Sequence, residues 1–172
     1  NRPGESDYEA ARNEDVAFPE VDFIVLSPHG RGEVAGYNGL GERDVLRALR
    51  DVKRAYNVDE DRVYLTGLSM GGGGAWHLGL RYPDLFAAIA PVCAVGDLSL
   101  FAAFADLSSE AKALLDLTGP TAMAENAANQ QVFIFHGDVD PVVVPEHSRR
   151  MAARYRELGW LGKNVFYFEQ PG

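Results

Sequence analysis

The chain has 172 residues, enough for one domain with a substantial core and hardly enough for two. Its hydrophobic fraction of 47% and charged fraction of 24% are those of an ordinary globular protein. A net charge of −9 and a pI near 4.8 repel phosphate backbones and exclude nucleic acid as an expected partner, and a single cysteine excludes an internal disulfide and a cysteine-based metal site.

Residues 1–20 form a polar lead-in without an apolar signal region. Phe23-Ile24-Val25-Leu26 is the first strand-like run, ending at Pro28 and Gly30. Val45, Leu49, Val52 and Tyr56 then recur at helical spacing, with Arg43, Arg47, Arg50, Asp51 and Arg54 on the other sides. Val63-Tyr64-Leu65-Thr66 is a second strand, and a helix is expected from about Met70 to Tyr82. Leu85 to Val95 is the longest nearly unbroken apolar run. Pro91 interrupts it and it is too short to span a bilayer, so no membrane span is expected. It contains a less distinct strand, Ala87 to Val92, and Cys93, which reads as a small buried hydrophobe.

Residues 96–130 lie where a cap or pocket segment is expected, with Phe101, Phe104, Leu107, Leu114 and Leu115 as an apolar wall or as core. Within it Leu107 to Leu117 reads as a helix capped by Ser108 or Ser109. Val132-Phe133-Ile134-Phe135 and Val165-Phe166-Tyr167-Phe168 are the last strands. The helix between them carries Ser148, Met151, Ala152, Tyr155 and Leu158 on one side and stops at Gly159. Trp76 and Trp160 read as packing residues. Continuous β-branched runs alternating with helices imply right-handed crossovers and a mostly parallel sheet with helices on both faces.

Gly67-Leu68-Ser69-Met70-Gly71 joins a strand to a helix directly. That bend pushes a serine out of the sheet in strained backbone angles, and Gly67 and Gly71 are expected to leave space where side chains would collide. Free N–H groups and the positive end of the helix dipole favour an oxyanion there, with the Met70 N–H as first donor. A serine hydroxyl needs a base, and the base an orienting carboxylate, in the chain order serine, acid, histidine. The strand Val132 to Phe135 runs into His136-Gly137-Asp138-Val139-Asp140-Pro141, so Asp138 and Asp140 both sit where ligands bind at the carboxyl ends of parallel strands. Asp138 also suits a turn former, and Asp97 is a third option. None of the four histidines suits the base. His29 lies in a Pro-His-Gly turn, His77 two turns along the helix, His136 beside the acid and His147 at a helix start; geometry could still recruit His147.

Arg62-Val63-Tyr64-Leu65-Thr66-Gly67-Leu68-Ser69-Met70-Gly71-Gly72 and Tyr82-Pro83-Asp84-Leu85-Phe86-Ala87-Ala88-Ile89-Ala90-Pro91 resemble the prolyl-oligopeptidase-like and polyhydroxybutyrate-depolymerase-like esterases. Phe135-His136-Gly137-Asp138-Val139-Asp140-Pro141-Val142-Val143 is similar to their acid loop, and Gly41-Glu42-Arg43-Asp44-Val45 fits the stretch before a first helix. The resemblance runs from about Phe23 to the last residue. It implies an α/β-hydrolase fold, a carboxylic ester hydrolase with a Ser-Asp-His triad, a small-molecule ester substrate, no metal and no organic cofactor. It assigns the acid to Asp140. In such enzymes the base follows the last strand in a Gly-His pair, and here Glu169-Gln170-Pro171-Gly172 ends the sequence, so the histidine is expected just beyond Gly172. A strand ending in His-Gly, which supplies the second oxyanion donor, is expected before Phe23. The chain thus reads as one partial domain, cut at both ends and alone inactive. A peptidase or acyltransferase using the same acyl-enzyme, and a non-catalytic binding module, are the alternatives; compartment and oligomeric state stay open.

Overall fold

The computed structural model describes residues 21–31, 36–100 and 106–172, so the lead-in 1–20, Phe101 and Phe104 lie outside the described residues. The chain forms two compact units, 1–58 and 59–172. Among the described residues no helix is long and apolar enough to cross a membrane.

In the first unit, α1 spans Leu40–Ala55. It begins before Gly41, so Gly41 to Val45 is its opening rather than its approach. A Cβ on Gly41 would fall 2.2 Å from the Gly36 carbonyl oxygen, which is how closely the turn packs on the helix. Of the expected apolar face only Val45 is buried, and Tyr56 lies past the helix end, exposed. Arg31 Nε reaches Asp44 Oδ2 at 2.5 Å. The segment Phe23 to Leu26 is not a strand: it joins no ladder of the described sheet, and its side chains are between 37% and 69% exposed. A strand is a pairing as well as a propensity, and an apolar run without ladder partners stays irregular.

The second unit holds a four-stranded parallel sheet in the order β1 (Tyr64–Leu68), β2 (Ala88–Val92), β3 (Gln131–Gly137), β4 (Val165–Gln170). Helices α2 (Met70–Arg81), α3 (Ser109–Thr118) and α4 (Glu146–Glu157) connect them. Side chains along β3 alternate between exposed and buried, so each apolar run is half buried within this unit. Ile89, Val132 and Ile134 face α2 and α4, whose Trp76 and Tyr155 stack with ring centres 6.3 Å apart. Tyr64, Leu68, Phe133, Phe135 and Phe168 lie on the exposed side.

Glycine decides how closely α2 approaches the sheet. A Cβ on Gly79 would sit 2.6 Å from Ile89, and one on Gly72 would sit 2.7 Å from both the Ala94 Cβ and the Val92 carbonyl oxygen. Ser108, not Ser109, caps α3, accepting from the Ala111 N–H at 3.2 Å. Gly159 stops α4 in the left-handed region at φ 73°. Arg149 grips Glu169 through two nitrogens, at 2.6 and 3.1 Å, joining α4 to the end of β4. That guanidinium, with the Tyr167 hydroxyl, lowers the Glu169 carboxyl to about 2.

Candidate active site

β1 runs two residues further than the apolar pattern suggests, through Gly67 and Leu68, and Ser69 follows as the residue preceding α2. Its backbone has φ 56° and ψ −114°, a conformation that L residues rarely adopt. Its N–H donates to the Val92 carbonyl at 2.9 Å, and its own carbonyl accepts from the Gly73 N–H at 2.9 Å. The backbone thus turns sharply at Ser69 from strand into helix. The N–H groups of Met70 and the next two residues have no carbonyl one turn back to bond, so they define an electropositive rim beside the serine.

The two glycines of the motif are not equivalent. A Cβ on Gly67 would lie 2.2 Å from the Gly71 carbonyl oxygen, whereas one on Gly71 would meet nothing within 4 Å. The expectation that both relieve a collision holds for Gly67 alone, because the strand passes under the helix backbone at only one of the two positions. Gly67→Ala is expected to cost about 1–3 kcal/mol in urea unfolding, as overpacking does. Gly71→Ala should be neutral or slightly stabilising, since alanine is the better helix former by about 1 kcal/mol. Equal losses for the two variants would sink this account.

The carboxylates of the β3 exit loop divide their work. Asp140 Oδ1 accepts from the N–H groups of Val142 at 2.9 Å and Val143 at 3.0 Å, so Asp140, not Asp138, shapes the local turn. Those two amides hold the Asp140 carboxyl below the usual carboxylate range, and the Cys93 thiol and the nearby His136 ring add to the effect. Asp138 reaches out of its loop: its Oδ1 accepts from the N–H of Gly172 at 2.9 Å, and its own N–H donates to the Gln170 carbonyl at 3.0 Å.

Cys93 is half buried, with φ 43°, at the exit of β2. Its N–H donates to the Phe135 carbonyl at 2.8 Å, and its thiol lies within hydrogen-bonding reach of Asp140. It is not the fully buried hydrophobe that the sequence suggests, and its strand lies between those that lead to the serine and to the acid loop. The only sequence signal for this is its place just past a strand's carboxyl end. Sulfur, a His136 nitrogen and an Asp140 oxygen lie within 4.8 Å of one another. The donor set does not suit a metal, because His136 Nε2 is 2.7 Å from the Val143 carbonyl and so carries its proton. Its Nδ1 is 2.7 Å from the Ser148 hydroxyl, so both ring nitrogens are engaged in bracing the loop to α4.

His147 is fully buried, and its Nδ1 accepts from the Asp97 N–H at 3.2 Å, which commits that nitrogen to the β2 exit loop. Burial chiefly lowers its pKa. Asp97 is turned to Arg150, 2.5 Å away, and to Ser99; these partners outweigh the burial that opposes its charge. His77 is eight residues past Ser69, about 12 Å along the helix at 1.5 Å per residue, beyond hydrogen-bonding reach of the serine. His29 belongs to the first unit. Leu115 of the 96–130 segment lines a cavity of about 350 Å³ together with Leu98, Asp97, Asp116 and Arg154, so that wall is charged as well as apolar. Leu114 is exposed and Leu107 half-buried. Trp76 is wholly buried, and Trp160 packs on Tyr155 at 6.2 Å.

Ser69 and Asp140 thus leave the same end of a parallel sheet from strands separated only by β2. Two strand spacings are about 10 Å.

The sequence pattern of the prolyl oligopeptidase family matches residues 14–170. The chain is 28% identical over 125 residues to poly(3-hydroxyalkanoate) depolymerase C of Paucimonas lemoignei, covering 68% of this chain and 30% of that protein. It is 35% identical over 72 residues to a bifunctional acetylxylan esterase/xylanase of Neocallimastix patriciarum, covering 40% of this chain and 11% of that one. Among solved structures, a thermostable esterase is similar at 30% identity and a TM-score of 0.60, over 81% of this chain and 31% of its own. The chain therefore spans less than a third of the length of each of these relatives.

Proposed function

Because this chain belongs to the prolyl oligopeptidase family and has an α/β-hydrolase-type fold, we propose that it supplies the nucleophile and the acid of a serine hydrolase acting on carboxylic esters. Ser69 is the nucleophile, Asp140 the triad acid, and the Met70 N–H the first oxyanion donor. The base is a histidine entering just beyond Gly172. The observation that carries this reading is Ser69 itself, held at φ 56° at a helix N-terminus, on the sheet end that also presents Asp140.

In the proposed reaction the base takes the Ser69 hydroxyl proton as the oxygen attacks the ester carbonyl carbon. Negative charge collects on the carbonyl oxygen at the start of α2. The carbon–oxygen bond to the alcohol then breaks, and the alcohol leaves with the proton from the base. Water, deprotonated by the same base, attacks the acyl-enzyme; the acid departs and Ser69 recovers its proton. Asp140 stays ionised throughout and orients the imidazole.

Ester cleavage is favoured over amide cleavage by the relatives at 28% identity and above, a depolymerase and two esterases. The peptidase reading draws on the family name alone, and transfer to an acceptor other than water uses the same acyl-enzyme. The test is a fluorophosphonate probe on the full-length protein, with peptide mapping. Stoichiometric labelling at Ser69, together with hydrolysis of p-nitrophenyl acetate that outpaces the matching anilide, is the expected result. An unlabelled Ser69 would instead favour a non-catalytic binding module, and a faster anilide would favour a peptidase.

A further inference from the structure

A carboxylate oxygen that braces its own turn accepts from amides two or three residues ahead, as Asp140 Oδ1 does from Val142 and Val143. Asp138 differs. Its Oδ1 accepts from an N–H 34 residues away, that of Gly172, at 2.9 Å. Its own N–H continues the β3–β4 ladder one step past the Gly137–Gln170 pair by donating to Gln170 at 3.0 Å. The two bonds straddle Pro171, a residue with no N–H to offer and a fixed φ. The fit is close as well as bonded: a Cβ on Gly172 would lie 2.1 Å from Val139 Cγ2 and 3.5 Å from Asp138 Oδ1. The strand exit thus lies flush on the acid loop, two residues from Asp140.

We propose that Asp138 is a positioning residue which pins the segment leaving β4 onto the acid loop and so sets where the base reaches Asp140 and Ser69. This rests on the reading above that the base enters just beyond Gly172. The role needs a carbonyl-type acceptor at Oδ1 and not a charge. Misplacing a reacting group by about 1 Å can cost about 100-fold in rate. Asp138→Ala, which removes the acceptor, should lower kcat by about that factor with KM little changed. Asp138→Asn, which keeps an oxygen toward the Gly172 N–H, should restore kcat to within about threefold of wild type, a factor far smaller than the misplacement cost.

The experiment measures kcat, KM and the pH profile of ester hydrolysis for full-length wild type, D138A, D138N and S69A. Hydrogen exchange at the Gly172 amide is followed alongside. The expected result is an inactive S69A, a kcat loss confined to D138A, an unshifted acid limb in both Asp138 variants, and faster Gly172 exchange in D138A alone. If D138N is as slow as D138A, or both move the acid limb, charge and not anchoring is at work and the proposal fails. It fails equally if D138A only lowers the melting temperature while the folded enzyme keeps its kcat. An S69A variant that stays active overturns the serine hydrolase reading itself, while an inactive S69A with a fully active D138A overturns this inference alone.

Discussion

Ser69→Ala in the full-length protein is expected to reduce kcat for a simple ester by about 10⁴–10⁶-fold, the range found when a triad nucleophile is removed. The size follows from the chemistry. A neighbouring base has no proton to take once the hydroxyl is gone, and what remains is binding plus the donors at the start of α2. KM should change little, because the serine oxygen contributes to the transition state far more than to ground-state affinity. Fold should be unaffected, since Ser69 bonds to Val92 and Gly73 through its backbone. Alanine tolerates φ 56° no worse than serine does, so the melting temperature should stay within a few degrees of wild type. Steady-state assays and a melting curve on the same preparation decide it. Residual activity above a tenth of wild type would remove Ser69 from the mechanism.

Asp140→Asn is expected to lower kcat by about 10⁴-fold, because a neutral amide neither stabilises the imidazolium nor enforces the tautomer that the base requires. The side chain keeps its size and one oxygen for the Val142 and Val143 N–H groups, so the loop should persist. The pH behaviour separates charge from shape. The folded Asp140 pKa lies below its ordinary value, chiefly because of those two amides. Its contribution to stability is therefore fully present above the unfolded value of about 3.9 and is lost as pH falls through the lower folded value. Wild type should be the more stable above about pH 5, and the two proteins should converge toward pH 2. The acid limb of the wild-type rate profile then belongs to the base and not to Asp140. Urea midpoints that stay parallel across this range would contradict the assigned charge interaction.

Runs such as Val132 to Phe135 and Val165 to Phe168 lie inside β3 and β4, because β-branched and aromatic residues suit a pleated ladder. Helix ends are legible where a cap or a left-handed glycine marks them, as at the Ser108–Ser109 pair, of which Ser108 caps, and at Gly159. Phe23 to Leu26 has the same local character as the true strands and failed, since composition cannot say whether a partner strand lies alongside. At the bend, the pattern named two glycines, and only the crossing of strand under helix shows that Gly67 alone is sterically required. Cys93 and Asp138 were misjudged for a related reason. Their important contacts lie 47 and 34 residues away in the chain, to Asp140 and Gly172, and no periodicity encodes a contact of that separation.

Local backbone preference and apolar period were enough, by themselves, to determine the alternating strand–helix order from β1 to β4, the bend that carries Ser69, and the acidic loop after β3. These depend on interactions within a few residues, which a linear pattern records. The division of labour between Asp138 and Asp140, the thiol beside the acid, and the engagement of both His136 nitrogens were decided only when the chain folded. The parallel order β1-β2-β3-β4 brings loops from distant parts of the chain to one edge, and hydrogen bonds there are selected by distance and direction rather than by spacing along the sequence.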